Sequence, residues 1–231
     1  MSGAYEFSPG RVAAAEAAAE LIETGMVVGL GSGHAVWSVI EAIGVRRPQI
    51  RAVVASEATY ALAHAAGIEV VQLDGTSELD LAVDGADEVD PQLRLLKGGG
   101  GALLREKIVA SAANRFVVVA EVPKLVGHLG ETFALPVEVV RFGWRDTRRR
   151  LSDLLPDAER RSVGDEPYQT DEGHYIFDCA IPADADIERL DREIKLLPGI
   201  VEHGLFIGMA ERVLIGEPDG SVRVLTATGE S

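Results

Sequence analysis

From about residue 11 to residue 120, segments of helical spacing alternate with short apolar runs, separated by glycine-containing turns. The runs MVVGLG (26–31), 51–55, 68–73, LDLAVD (79–84), RLLK (94–97) and FVVVA (116–120) have strand length. Helical patterning covers Arg11–Glu23, 35–43, 59–66 and ALLREKIVASAA (102–113). Pro9 and Gly25 bracket the first of these helices, and Gly67 stops the third. Such alternation predicts an α/β fold, a Rossmann-like and largely parallel sheet flanked by helices.

Past residue 130 the pattern changes. FALPVEVV (133–140) is strand-like, 144–155 is an amphipathic helix, and the polar stretch 156–169 reads as a connection. A turn at 170–173 leads into the strand HYIFDC, a helix spans 186–197 before Pro198, and GIVEHGLF (199–206) is again strand-like. Two helices interleaved with short strands predict a smaller α+β module of the split βαβ, ferredoxin-like type. Strands at 212–216 and 222–225, joined by a Pro-Asp-Gly turn, return to the first sheet. The expected division is residues 1–130 with 205–231 as the catalytic domain and 131–204 as the small domain. There is no internal repeat.

Composition narrows the function. The 231 residues are 47% hydrophobic, enough for a sizeable core, and the formal charge of −15 argues against nucleic acid or an anionic membrane as partner. The apolar runs fall short of the roughly 20 residues a bilayer span needs, and the first 20 residues lack the features of a secretion signal, so a cytoplasmic location is expected. The lone Cys179 has apolar neighbours and reads as a packing residue, while Arg145, Arg148 and Arg149 share one solvated helix face.

Four clusters carry candidate chemistry. GLGSGHA (29–35) follows a strand and opens a helix, where backbone N–H groups receive anions. It lacks the third glycine of the dinucleotide fingerprint, the Gly-Lys-Ser/Thr of a P-loop and the spacing of a nucleophile elbow, which leaves a turn suited to a small phosphate group. SEAT (56–59) offers the Ser56 and Thr59 hydroxyls, as ligand groups or as helix caps. VDGADEVD (83–90) ends a strand on Asp84 and places Asp87 beyond Gly85; close carboxylates raise one another's pKa, which suits acid-base work. The spacing of Asp84, Asp87 and Asp90 does not match a calcium loop, so no metal is expected. In KGGGGALLREK (97–107), four glycines let backbone approach a ligand between Lys97 and Glu106, which is either a general base or an exposed helix residue.

In this order and spacing, GLGSG, SEAT, VDGADEVD and KGGGGALLREKIV closely resemble the type A ribose-5-phosphate isomerases, and the likeness continues through EVPKLVGHLG (121–130), LPVEVV (135–140), TDEGHYIFD (170–178) and LPGIVEHGLF (197–206). The resemblance implies an aldose-ketose isomerase that interconverts ribose 5-phosphate and ribulose 5-phosphate through a cis-enediolate, without metal or cofactor, as a homodimer or homotetramer with the small domain contributing to assembly. It implies Glu106 as the base, Asp84 as the residue that opens the sugar ring with Asp87 as its acidic partner in the site, and Lys97 as the stabiliser of the enediolate oxygens. Ser32, Gly33, His34, Ala35, Ser56, Thr59, Gly85, Ala86, Gly98, Gly99, Gly100 and Lys124 are the implied substrate contacts. The first loop departs from the family's usual Gly-Thr-Gly-Ser-Thr: here it reads Gly31, Ser32, Gly33, His34, Ala35, and backbone N–H groups are expected to do most of the work there. The alternatives are isomerisation of another phosphorylated sugar and a non-catalytic sugar-phosphate sensor; a sensor has no use for a placed base.

Overall fold

The computed structural model of the protein describes residues 8–75, 78–227 and 229–230. Residues 1–7, 76–77, 228 and 231, the remainder of the expected 1–130 and 205–231 segments, lie outside the described residues. In chain order the first part runs α1 (Pro9–Glu20), β1 (Val27–Leu30), α2 (His34–Arg46), β2 (Arg51–Val54), α3 (Glu57–Ala65), β3 (Glu69–Val70), β4 (Leu81–Gly85), β5 (Glu88–Val89), β6 (Leu95–Leu96), α4 (Leu103–Ser111) and β7 (Phe116–Glu121). The second part runs β8 (Leu135–Val139), α5 (Trp144–Leu151), β9 (Glu159–Arg160), β10 (Ser162–Val163), β11 (Glu166–Pro167), β12 (Tyr175–Cys179), α6 (Ile187–Lys195), β13 (Ile200–His203), β14 (Leu205–Phe206), β15 (Arg212–Gly216), β16 (Val222–Thr226) and β17 (Gly229–Glu230).

The main sheet has the order β17-β16-β15-β7-β4-β1-β2-β3. It is parallel from β3 to β15, with β16 and β17 added antiparallel at one edge. Both faces are covered, so the central strands are apolar without a break: Val28, Leu30, Leu81, Val83, Val117 and Val119 face one core, and Val27, Val53, Ala82, Phe116 and Val118 the other. α1 starts on a Ser8 cap, whose hydroxyl accepts from the Arg11 N–H, and buries the small side chains Ala14, Ala15, Ala18 and Ala19.

The second sheet is fully antiparallel in the order β13-β8-β12-β9, the ferredoxin-like arrangement. Leu151, Leu155, Ile187, Leu190 and Ile194 close its core over Val137, Val139 and Phe177. Cys179 is fully buried there, a packing residue as expected.

Several elements differ from the sequence reading. The stretch read as a polar connection, 156–169, carries β9 and the β10–β11 hairpin. The run GIVEHGLF splits at Gly204, where an added Cβ would lie 2.1 Å from the Lys97 carbonyl oxygen. Its second half, β14, leaves the small sheet and pairs with β6, which pairs with β5, so that a three-stranded sheet joins the two larger ones. Near that joint the fully buried Glu88 carboxylate accepts from the N–H groups of Gly130, Thr132 and Phe133 and from the Thr132 hydroxyl, at 2.6 to 2.8 Å. Among the described residues no helix is long and apolar enough to cross a membrane.

Candidate active site

Strand order reverses between β1 and β4, and in open parallel sheets the crevice beyond the strand ends at such a switch point receives ligands. The loops after β1, β2 and β4 meet there with the glycine loop before α4, around a cavity of about 610 Å³. Of the residues expected from the sequence, Ser32, Gly33, His34, Ala35, Ser56, Gly85, Ala86, Asp87, Lys97, Gly98, Gly99, Gly100, Glu106 and Lys124 all line it.

The first two loops are tied to each other by hydroxyls. Ser56 caps α3, accepting from the Thr59 N–H at 3.1 Å, and its Oγ lies 2.9 Å from that of Ser32. Thr59 corrects the sequence reading: it is fully buried and outside the cavity wall, because its hydroxyl is donated to the Gly31 carbonyl at 2.9 Å. It braces the loop from behind. Gly33, at φ 90°, precedes α2 without a side-chain cap, so the first N–H groups of that helix stand at the cavity. His34 begins the helix, with its ring 5.0 Å from that of Trp37.

The ionisable centre is built from β4, β6 and α4. Lys97, 3% exposed, donates from Nζ to the Gly85 carbonyl at 2.7 Å and stands 2.9 Å from Asp84 Oδ2 and 3.3 Å from Glu106 Oε2. Asp84 is buried behind this lysine rather than on the cavity wall, and its Oδ1 accepts from the N–H groups of Ser32 at 3.2 Å and Gly85 at 2.7 Å. An alanine Cβ at Gly31 would fall 1.9 Å from the Asp84 carboxyl carbon, so this glycine is required for space. Asp87 faces the cavity and accepts from the Gly99 N–H at 2.8 Å.

Burial and charge act against each other here. Burial pushes Glu106 up, the neighbouring Asp84 adds to the rise, and Lys97 opposes it, leaving the carboxyl at about 8. Burial likewise raises Asp84, against the pull of Lys97. For Lys97 burial disfavours the charge, but Asp84 and then Glu106 overcome it and hold the ammonium protonated well beyond its ordinary range. The result is a fixed cation beside a carboxyl that titrates near neutrality, the pairing a proton transfer next to a developing oxyanion requires. Among the described residues no cluster of three or more His, Cys, Asp or Glu side chains is placed to hold a metal ion.

The residues flanking Glu106 part company. Arg105 pairs at the surface with Glu57, Asp171 and Glu172. Lys107 is a buried pairing residue, donating to Glu202 and to the carbonyls of His203 and Leu205. Sequence reasoning missed other cavity residues: Arg11, whose guanidinium pairs with Glu121 at 2.9 Å; Trp37; and Tyr168 with Asp171, which arrive from the segment read as a connection and its following turn. The Arg11 signal was available as a cation one turn into a helix that feeds the sheet, whereas Tyr168 carries no local pattern.

Comparison with known proteins identifies the family. Residues 51–220 match the family model described as ribose 5-phosphate isomerase A (phosphoriboisomerase A). The ribose-5-phosphate isomerase A of Roseiflexus sp. (strain RS-1) is 48% identical over 93% of this chain and 94% of its own length, and that of Deinococcus radiodurans is 45% identical over 87% and 90%. The solved ribose 5-phosphate isomerase A of Methanocaldococcus jannaschii superposes with a TM-score of 0.87 at 38% identity, covering 94% of this chain and 97% of that one. A D-ribose-5-phosphate isomerase solved in complex with phospho-erythronic acid superposes with a TM-score of 0.88 at 35% identity, with the same coverage. By fold and by sequence, the chain belongs to the ribose 5-phosphate isomerase A family.

Proposed function

We infer that this protein interconverts D-ribose 5-phosphate and D-ribulose 5-phosphate. The observation that carries the reading is the buried Glu106 carboxyl, raised to about 8, standing 3.3 Å from the ammonium of Lys97 on a cavity wall. In the open-chain aldose Glu106 takes the C2 proton, the electron pair forms the C1–C2 double bond, and the C1 oxygen becomes the anion of a cis-enediolate beside Lys97. Return of that proton to C1, with transfer of the O2 proton to O1, leaves the ketose. We assign ring opening, which moves a proton from O1 to the ring oxygen, to Asp87 on the wall with Asp84 behind it. The phosphate is placed at the N-terminus of α2, with Ser32, Ser56 and Lys124, where oriented N–H groups and local cations work against the net charge of −15.

Residues 1–130 with 205–231 are assigned to catalysis and 131–204 to assembly of a homodimer or homotetramer in the cytoplasm. Light scattering of the purified protein tests the assembly, with Phe142, 93% exposed in the turn between β8 and α5, as the first side chain to vary. The activity is tested by turnover of ribose 5-phosphate with a chelator present and with arabinose 5-phosphate and erythrose 4-phosphate alongside. Turnover of ribose 5-phosphate is expected to persist under chelation. Glu106→Gln is expected to keep substrate binding and lose roughly a hundredfold or more in kcat; unchanged turnover would remove Glu106 from the mechanism.

A further inference from the structure

Two side chains beside the β10–β11 hairpin grip the glycine loop. Arg161 Nη1 donates to the carbonyl oxygens of Gly98 at 3.0 Å and Gly99 at 3.1 Å, and the Tyr168 hydroxyl donates to that of Gly100 at 3.3 Å. The guanidinium is itself fixed by Asp178 on β12, Nε to Oδ2 at 2.9 Å and Nη2 to Oδ1 at 2.5 Å. The loop is closely packed on two sides: a Cβ at Gly99 would lie 2.8 Å from Phe133, and one at Gly101 would lie 2.0 Å from the Tyr168 oxygen.

The peptide bonds are trans, so each N–H points opposite to the carbonyl of its own peptide unit. With the Gly98 and Gly99 carbonyls both drawn to Arg161, the N–H groups of Gly99 and Gly100 are turned away from it. Gly99 does reach the far side, where its N–H meets Asp87 Oδ2 at 2.8 Å. The Gly100 N–H makes no hydrogen bond within the described residues, and Gly100 lines the cavity.

We propose that Arg161 is a positioning residue for the isomerisation: by holding two carbonyls of the glycine loop on one side, it aims the Gly99 and Gly100 N–H groups at Asp87 and at the reacting oxygens, adding oriented peptide dipoles to the charge of Lys97. This rests on the isomerase reading above. A preorganised donor of this kind acts on the charge that appears in the transition state and contributes little to ground-state binding.

The test uses the full chain with Arg161→Lys and Arg161→Ala. Expected is a fall in kcat on ribose 5-phosphate of about tenfold to a hundredfold, with KM changed by less than about threefold, because the phosphate contacts are untouched. Affinity for phospho-erythronic acid, whose carboxylate mimics the enediolate oxygens, is expected to fall with kcat. Methylguanidinium added to Arg161→Ala is expected to restore part of kcat and to leave the wild type unchanged. If the alanine variant does not fold, Arg161→Lys carries the test, since one ammonium retains the charge beside Asp178 but does not reproduce the fork of donors. Unchanged kcat in a folded variant, or a loss of folded protein with normal turnover per folded molecule, overturns the proposal. An inactive wild type overturns the isomerase reading and this role with it, whereas an active wild type with unaffected variants removes Arg161 alone.

Discussion

Two buried lysines stand ten residues apart, and both ammonium groups approach the ring of Phe206, Lys97 at 5.4 Å and Lys107 at 4.8 Å from its centroid. Their charges nevertheless respond in opposite directions. Lys97 meets two carboxylates, which outweigh its burial and raise its pKa. Lys107 meets one nearby carboxylate, Glu202, and two carbonyls; burial dominates and brings it down to about 8, with Lys195 adding a further repulsion. The denser carboxylate charge around Lys97 accompanies the difference in sign. That difference separates a permanent cation, useful opposite a developing oxyanion, from a brace between α4 and the β13–β14 segment.

The comparison breaks most visibly at Lys97. Lys97→Met is expected to lower kcat by about a thousandfold, because it removes the cation beside the enediolate and leaves Asp84 and Glu106 repelling one another in a buried site. Steady-state turnover against folded concentration measures it, and a loss below tenfold would show that the charge is dispensable. The next effect lies in the pH profile. With Glu106 as base and its carboxyl at about 8, kcat/KM is expected to rise with pH through that value. Asp84→Asn removes one cause of the rise in pKa, so the limb should move to lower pH; an unmoved limb would detach Asp84 from Glu106.

At the second lysine the effect is on stability. Lys107→Met is expected to cost about 2 to 4 kcal/mol in urea unfolding at pH 7, with kcat per folded molecule held within a few fold. Below pH 8 the Lys107 ammonium is charged in both states. Between 8 and 10.5 the unfolded chain keeps a proton that the folded protein has released, so this group makes stability rise with pH, by at most about 3 kcal/mol across the window. Unfolding at pH 7.5 and 9.5 should show that rise shrinking in the variant. Lys97 has the opposite sign, and its contribution is lost only at pH above 10.5. The smallest change is expected away from both lysines: His34→Thr should move KM for ribose 5-phosphate by less than about threefold if backbone N–H groups carry the phosphate.

What was legible in the sequence is what local pattern determines. Strand-length apolar runs located the strands of the main sheet, and the shared direction of β1, β2 and β4 brought three of the four loops to one edge; the glycine loop follows β6, outside that sheet. What was not legible depends on partners far along the chain. Arg105 and Lys107 flank Glu106 alike in sequence, but they lie some 200° apart around the helix, and only the packing of residues 202–206 decides which is buried. Thr59 offered a hydroxyl that suited a ligand as well as a brace, and Gly31, 28 residues earlier, claimed it. Arg161 sat in a polar stretch whose two-residue strands fall below the length at which alternation can be read.

The space taken up at Gly31 has a consequence for variation. Its backbone angle is ordinary, so conformation does not demand glycine there; the Asp84 carboxyl does, by occupying the volume a methyl group would need. Because Lys97 and two backbone N–H groups anchor that carboxyl, it has little freedom to yield. An alanine at 31 therefore becomes acceptable only in a chain that has already shortened position 84, and such a chain has no carboxylate there to lose. The dependence runs one way: position 31 is free to vary only after position 84 has changed, whereas losing Asp84 removes a partner of Lys97 whatever stands at 31.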